Sequence, residues 1–579
     1  PFLCRVGDRK RRASSILTAQ DTATMTSVKD DDPLSSSYES ALSALFGPLH
    51  NQVTTKQDME AAQARRHLTV SEMRTYQRRL ARNLNINLDP KPNQRILHIA
   101  GTKGKGSTSA MCEVLCRNGS GENSGITTGL FTSPHLCDIR ERIRVNGQPI
   151  SKDVFAKAYW TIRRGLEAWP AQDTSMTTES DKYLADIPVL PGYFRMLTLM
   201  ALYIFANYQN PCVEVIILEV GMGGRYDATN MIDHPIQSIK PKRFACGVTL
   251  IDYDHVRVLG HTLEEIAWYK GGIFLRDKED RRYFSPRPNA PEKYVEDGND
   301  NNGKQDPTTT ERSRIVSKDN GDDVFFALES NTSGVVDILK RCAQTEGRGT
   351  RLQLVGARHS SAELRAYLPP QIGIPGPHQR DNAHLALELV AHLLGPPRDP
   401  QSWRTALQTV SWPARCQTIH VSPTFTIRVD GAHTEQSLKV GVDWFQSTAQ
   451  RSSRRALIFY CSHEKNPVKL LNILQSCWFD DVLFCRPNSE RPSPLAKKTA
   501  QELLHECGYD SNVALPSSSS SSSWEETLRC IWDFVRGKTD PPQFLCSSMD
   551  VSQALAYLKE QQQQQEGNGT VEVFAIGSL

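Results

Sequence analysis

Residues 95 to 108 read Arg95-Ile-Leu-His-Ile-Ala-Gly-Thr-Lys-Gly-Lys-Gly-Ser-Thr108. The apolar run Ile96 to Ala100 predicts a buried strand. Glycines then alternate with lysines, and the residues after Ser107 predict a helix. A glycine-rich loop between a strand and a helix lets backbone N–H groups and the positive end of the helix dipole surround an anion. The stretch therefore predicts a site for nucleotide phosphates, with Lys105 as the cation for the β- and γ-phosphates.

The loop departs from the usual P-loop pattern, in which four residues separate the first glycine from Gly-Lys-Ser/Thr. Here the spacing is shorter, and Gly106 separates Lys105 from Ser107. A glycine–lysine turn without a ligand is the alternative interpretation. The flanking strand and helix favour a nucleotide site, whose predicted ligands in the loop are Gly104, Lys105, Gly106 and Ser107.

Composition limits the classes of function. The 68 basic and 65 acidic residues nearly cancel, which argues against a nucleic-acid-binding protein with a concentrated basic face. The longest apolar stretch, Met196 to Ala206, is far shorter than the ~20 residues that cross a bilayer, so we expect no stable membrane insertion. At 579 residues the chain is long enough for two or more domains.

Three side chains that can bind a metal follow predicted strands. Ser133 follows a short strand that begins at Thr128, Glu219 ends an apolar run, and His255 follows a strand predicted from Phe244 to Ile251. Ligands of α/β sheets collect at the carboxyl ends of the strands, so these side chains predict a Mg²⁺ site beside the phosphate loop. Each also has a structural alternative: a Ser-Pro turn, an ion pair and a structural histidine.

The stretch from Leu259 to Ile273 predicts a helix that ends at Gly271. Thr262 and Glu265 have the spacing of a capping box at its start. Lys270 lies in its last turn, where the simplest interpretation is that the ammonium group complements the helix dipole.

The sequence Gly-Thr-Lys-Gly-Lys-Gly-Ser at 101–107 resembles the loop of the folylpolyglutamate synthases of eukaryotic, fungal-like type, which are relatives of the Mur ligases of cell-wall synthesis. Further motifs continue the resemblance in order along the chain, at 128–136, 141–147, 219–230, 252–256, 259–273, 372–386, 412–416 and 430–434. The resemblance extends from residue 38 to residue 579, apart from inserts. One departure is Asp252, because the family usually has glycine before this Asp-His pair.

The resemblance implies an α/β fold in two parts. A mostly parallel sheet that carries the P-loop forms a Mur-ligase-like ATP-binding domain at 38–409, with a disordered insert at about 276–323. A smaller Rossmann-like α/β domain follows at 410–579. Its predicted strands lie at 425–429, 456–460, 481–485 and 571–576, and its runs of serine (517–523) and glutamine (561–565) predict loops. Residues 1–37 predict a disordered tail or a transit segment.

The resemblance also implies roles for individual residues. The residues that would hold Mg²⁺ are Ser133, Glu219 and His255. The residues that would contact ATP outside the loop are Asn382, Arg415 and Asp430. The catalytic residues would be Lys105, Lys270 and His433. In the family the lysine that matches Lys270 is carbamylated and bridges to a second metal, and the segment Asp430 to His433 closes over the nucleotide and glutamate sites.

The implied reaction joins L-glutamate to the γ-carboxylate of a reduced folate or folylpolyglutamate, for folate retention and one-carbon metabolism. ATP converts the carboxylate into an acyl phosphate, and the amine of glutamate then displaces phosphate. The implied cofactors are ATP and Mg²⁺, and a monovalent cation such as K⁺ is compatible with the family. The implied partners are these small molecules, with no nucleic acid. The expected state is a monomer in the cytoplasm, in mitochondria (matrix or inner membrane) or in both.

Three alternatives stay open at this point. A dihydrofolate synthase, or a bifunctional enzyme that adds the first glutamate to dihydropteroate, would use the same ATP motifs. A non-catalytic homologue would bind nucleotide without turnover. A GTPase-like switch would need an Asn-Lys-x-Asp motif after a later strand, and the sequence has none.

Overall fold

A computed structural model describes residues 37–48, 50, 56–119, 125–168, 187–208, 212–232, 244–275, 287–288, 324–347, 349–450, 453–463, 465–486, 498–510, 523–537, 544–547, 549–564 and 569–577. The predicted N-terminal segment lies outside these residues apart from Ser37, and the predicted insert lies outside them apart from residues 287 and 288. The chain divides into two compact units. The larger extends to Gly373 and from Pro377 to Ser411, and the smaller comprises Ile374–Gly376 and the chain from Trp412 onward.

The larger unit is built on a sheet of eight described strands. They are β1 (Arg95–Ala100), β2 (Thr128–Phe131), β3 (Ile143–Val145), β4 (Gln148–Pro149), β5 (Val215–Glu219), β6 (Phe244–Val248), β7 (Val324–Leu328) and β8 (Arg351–Val355). The order across the sheet is β4-β3-β2-β5-β1-β6-β7-β8. Neighbours from β2 to β8 are parallel, whereas β3 and β4 form an antiparallel edge. The predicted mostly parallel α/β sheet is therefore confirmed.

Mostly apolar sequence explains why β1 and β5 lie in the middle of this sheet. Successive residues of a strand face opposite sides, and Ile96 and Leu97 are 4% and 0% exposed, so both faces are covered. The described helices of this unit are Tyr38–Phe46, Lys56–Ala64, Thr69–Leu84, Lys105–Arg117, Lys152–Glu167, Tyr193–Asn207, Val256–Leu259, Leu263–Gly271, Ser333–Thr345, Ala362–Arg365, His378–Leu394 and Pro400–Thr409. The capping box of Thr262 and Glu265 and the helix end at Gly271 are as predicted.

The smaller unit has a second sheet, with the described strands in the order β13-β12-β11-β14-β10-β9. These strands are β9 (Gln417–Ser422), β10 (Phe425–Asp430), β11 (Arg454–Tyr460), β12 (Asp481–Phe484), β13 (Phe544–Cys546) and β14 (Val571–Gly577). All neighbours are parallel except β9, which is antiparallel to β10. Its helices are Glu435–Thr448, Pro467–Leu474, Ala500–Glu506, Trp524–Arg536 and Val551–Gln564. The expected smaller α/β unit is present.

Two local predictions are wrong. The glutamine run is not a loop over 561–564, because these residues extend the helix that begins at Val551. The strand β6 ends at Val248 rather than Ile251, because the next residues bond to the phosphate loop instead of continuing the ladder. Among the described helices, none combines the length and apolar character needed to cross a bilayer.

Candidate active site

The phosphate loop adopts a backbone that requires glycine at two positions. Gly101 has φ 145° and Gly104 has φ 89°. A Cβ atom on Gly101 would lie 1.8 Å from Thr249 Oγ1, and one on Gly104 would lie 2.4 Å from Asn382 Oδ1. Gly104 directly precedes the helix that begins at Lys105, so the loop presents the positive end of that helix dipole. The predicted strand–loop–helix is confirmed, with the geometry of an anion-binding turn.

The loop contacts the predicted nucleotide residue Asn382 through the start of the helix His378–Leu394. Asn382 is buried, and its Nδ2 donates to Gln379 Oε1 (3.0 Å). Gln379 Nε2 in turn donates to Ser107 Oγ (3.4 Å). The structure thus brings Asn382 to the loop residues Gly104 and Ser107, which lie far before it in sequence.

Ser133 and Glu219 lie side by side at the carboxyl ends of β2 and β5, which are neighbours in the sheet. The Ser133 N–H donates to Glu219 Oε2 (3.0 Å), and Glu219 is 3% exposed. Carboxylate and hydroxyl oxygens are the hard donors that Mg²⁺ prefers, so this pair fits the predicted metal. Among the described residues, no three His, Cys, Asp or Glu side chains gather as a metal-binding group.

His255, the third predicted metal ligand, follows β6 and directly precedes the short helix Val256–Leu259. It has φ 50°, and its Nε2 lies 3.8 Å from Asp254 Oδ2. The side chain is 44% exposed. The described contacts therefore join Ser133 to Glu219, and they join His255 to Asp254.

Lys270 lies in the last turn of the helix Leu263–Gly271, as expected, but its side chain is buried. It is 3% exposed, and its Nζ donates to the carbonyl of Gly101 in the phosphate loop (2.7 Å). Burial lowers the pKa of the ammonium well below its ordinary value of 10.5, and the charge of Lys105 lowers it further. Burial thus favours loss of the ammonium proton from a side chain that is held against the loop.

Arg415, Asp430 and His433 form a cluster at the end of β10 in the smaller unit. Asp430 accepts hydrogen bonds from the N–H groups of Cys416 (2.7 Å) and Ala432 (2.8 Å). The Arg415 guanidinium donates to Ala414 O (2.9 Å). His433 Nδ1 lies 2.8 Å from the carbonyl of Gly431, which can only accept, so Nδ1 donates this hydrogen bond. The predicted residues of this unit therefore lie together.

Two contacts at the site escaped the sequence analysis. Gln379 lies inside a quoted motif, but no pattern indicates that it reaches Ser107. Arg66 donates to the carbonyl of Met222 (3.1 Å), and its guanidinium lies 5.3 Å from the Tyr269 ring centroid. It connects the loop after Glu219 to the helix of Lys270, and nothing in its own surrounding sequence indicates this.

Comparisons with known proteins identify the family. No protein-family profile matches the chain. The mitochondrial folylpolyglutamate synthase of Cricetulus griseus is 31% identical over 490 residues, which cover 78% of this chain and 67% of that protein. The folylpolyglutamate synthase of Saccharomyces cerevisiae is also 31% identical, over 77% of this chain and 71% of that protein.

A solved structure shares the fold. It is a folylpolyglutamate synthase of Mycobacterium tuberculosis complexed with ADP and AMPPCP, with a TM-score of 0.56 and 20% identity. The match covers 88% of this chain and 92% of that one. The resemblance carried by the phosphate loop and the later motifs is therefore confirmed, and the chain belongs to the folylpolyglutamate synthase family.

Proposed function

We propose that this protein is an ATP-dependent ligase that adds L-glutamate to the γ-carboxylate of a reduced folate or folylpolyglutamate, releasing ADP and phosphate. The observation that carries this proposal is the glycine loop that bears Lys105 and packs against the buried Lys270. Family membership supports the same reaction.

The chemistry needs cations and positioning rather than a nucleophilic side chain. A folate carboxylate oxygen attacks the γ-phosphorus of ATP, the bond to ADP breaks, and an acyl phosphate forms. The amine of glutamate then attacks the acyl carbon, phosphate leaves, and the attacking nitrogen loses its proton. Negative charge grows on the phosphoryl oxygens and then on the acyl oxygen, so Lys105 and the loop N–H groups would stabilise both steps.

The remaining predicted residues have roles that follow from their positions. Ser133, Glu219 and His255 would hold Mg²⁺, which would neutralise phosphate charge when bound. Asn382, Arg415 and Asp430 would contact the nucleotide. The carbonyl of Gly431 holds the imidazole of His433 through Nδ1, and this imidazole would accept the proton lost by the attacking amine.

Lys270 has the environment that carbamylation requires. A carbamate forms when a neutral amine adds to CO₂ and loses a proton, and burial favours the neutral amine here. The product is an anion beside the phosphate loop, which would suit a second metal ion. A ¹³C label from bicarbonate that attaches to the wild type and not to Lys270→Arg would support this role.

The wider setting of the protein is also a proposal. We propose that residues 38–409 bind the nucleotide, that residues 410–579 complete the ligase, and that the protein acts as a monomer. The mitochondrial name of one relative supports a place in mitochondria, in the matrix or at the inner membrane, and a cytoplasmic form is equally compatible with the family.

The test is incorporation of labelled glutamate into tetrahydrofolate, with ATP and Mg²⁺, by the wild type and by Lys105→Ala. We expect ATP-dependent chain extension that falls at least a hundredfold in the variant. Dihydropteroate as a parallel acceptor separates folate extension from addition of the first glutamate. A wild type that binds ATP but extends no acceptor would refute the ligase proposal and indicate a non-catalytic homologue.

A further inference from the structure

A carboxylate lies against the phosphate loop. The ammonium group of Lys103, between Thr102 and Gly104, forms an ion pair with Asp252. The two side chains are only 20% and 23% exposed. A negative charge beside an anion-binding loop opposes binding unless it is neutralised, so this pair needs an explanation.

The backbone around the pair shows that Asp252 belongs to the anchor of the loop. The N–H groups of Thr102 and Lys103 both donate to Leu250 O (2.9 and 3.1 Å). Thr102 Oγ1 donates to Asp252 O (3.0 Å) and lies 3.1 Å from the Asp252 N–H, which can donate to it. The Thr249 N–H donates to Ala100 O (2.9 Å). The segment 249–252 thus lies alongside residues 100–103 and is joined to them by these hydrogen bonds.

The two lysines of the loop consequently have different surroundings. Lys103 is held by a carboxylate on the β6 side of the loop. Lys105 starts the helix, and its Nζ lies 3.4 Å from the carbonyl of Thr102. An ammonium group paired with an anion is a weaker phosphate ligand than one bonded only to a carbonyl.

We propose that Asp252 is a positioning residue that fixes the phosphate loop through Lys103, and that Lys103 serves to neutralise Asp252 rather than to bind phosphate. This inference rests on the proposed ATP-dependent function. Asp252 contacts the loop through Lys103 and Thr102, and its carboxylate also accepts from the N–H of Tyr253 (2.8 Å). Removing Lys103 alone leaves an uncompensated carboxylate near the incoming triphosphate, whereas removing both charges leaves none.

The test is a double-mutant cycle on binding of the ATP analogue AMPPCP, measured by calorimetry, with the KM for ATP and kcat measured in parallel. We expect Lys103→Met to weaken binding about tenfold, or ~1.4 kcal/mol. Asp252→Asn should weaken it only about threefold, through loss of the anchor. The double variant should return to about threefold, because the second change removes the repulsion that the first exposed.

Controls separate this effect from misfolding. Asp252→Glu keeps the charge and should bind within about twofold of the wild type. Asp337→Asn makes the same chemical change at an exposed ion pair with Lys340 in the same unit and should leave binding unchanged. Urea unfolding of each variant shows whether the fold is retained, and kcat should change less than KM.

Two results would overturn the inference. If the double variant binds as weakly as Lys103→Met or more weakly, Lys103 contacts the nucleotide itself. If Asp252→Asn binds like the wild type, Asp252 positions nothing. A wild type that binds no adenine nucleotide would refute the proposed function and the inference together, whereas binding with independent effects of the two changes would refute only the inference.

Discussion

Changing Glu346 to glutamine breaks a buried ion pair that holds the loop after Glu219. The Glu346 carboxylate lies 2.6 Å from the Arg225 guanidinium, and both side chains are 0% exposed. The guanidinium also lies 3.8 Å from the ring centroid of Trp268 and donates to its carbonyl (3.1 Å). The Arg225 N–H donates to Tyr269 O (2.7 Å), one residue before Lys270.

The expected loss is large because arginine keeps its charge. Without Glu346 the guanidinium remains buried and uncompensated, and breaking a buried pair by removing one partner costs about 3–5 kcal/mol. That is a large share of the ~5–15 kcal/mol by which proteins are stable. Replacing both residues by apolar ones (Arg225→Met with Glu346→Leu) should recover most of the loss, since such exchanges are often neutral.

Urea unfolding followed by circular dichroism measures the effect, and hydrogen exchange of the Arg225 amide reports it locally. The matched control is Glu39→Gln, the same change in an exposed pair with Lys152, and its urea midpoint should equal that of the wild type. A loss below about 1 kcal/mol for Glu346→Gln, or a double variant that is less stable than the single one, would refute this reasoning.

Three further predictions concern the site itself. Gly104→Ala should weaken binding of AMPPCP at least tenfold and cost about 1–2 kcal/mol of stability, because the methyl group needs a left-handed backbone and meets Asn382 Oδ1 at 2.4 Å; unchanged affinity in calorimetry would contradict it. Lys270→Met should abolish ligation yet increase the free energy of unfolding near pH 7. Because the pKa of Lys270 is lowered in the folded state, only the unfolded state binds this proton between the folded pKa and 10.5. The free energy of unfolding of the wild type therefore rises with pH in that range, by up to ~1.4 kcal/mol per pH unit. Urea titrations at several pH values should show that this contribution to the rise is lost in the variant. Asp430→Asn should lower the local stability by about 1–3 kcal/mol, because each carboxylate oxygen accepts from one N–H, of Cys416 or of Ala432, and asparagine replaces one of these oxygens by an NH₂ group that cannot accept. Unchanged hydrogen exchange of the Cys416 amide would contradict this prediction.

Patterns of apolar residues predict the sheets well where both faces of a strand are covered. The runs that form β1 and β5 are mostly apolar, apart from Arg95 and His98 in β1 and Glu219 at the end of β5, and apolar runs of this length are typical of strands that are covered on both faces. The edge strands β3 and β4 escape such a pattern, because they span only Ile143–Val145 and Gln148–Pro149. The low-complexity composition of the glutamine run predicts a loop, but its helix propensity and the packing of the preceding turns determine its structure. Glutamine is a good helix former, and buried Leu555 and Leu558 fix the helix that the glutamines extend.

The residues of the site can be predicted where they are adjacent in sequence, but not where the fold brings distant residues into contact. The glycine loop and Glu219 can be recognised because strand, turn and helix are adjacent in sequence. The contact of Gln379 with Ser107 spans 272 residues, and that of Arg66 with Met222 spans 156. Sequence also does not reveal that Asp252 pairs with Lys103. The two residues are far apart in the chain, and they meet only because β1 and β6 are neighbours in the sheet.

The position of Lys270 depends on glycines elsewhere in the chain. A Cβ atom on Gly224 would lie 2.8 Å from the carbonyl of Lys270, and one on Gly272 would lie 2.3 Å from Arg225 Cβ. Only glycine lets the loop after Glu219 approach the end of this helix so closely that Lys270 is covered. A lysine left in solvent would stay charged and complement the dipole. The same lysine under this loop loses its hydration, which lowers the pKa of its ammonium group beside Gly101, so close packing of the backbone determines the chemistry of its side chain.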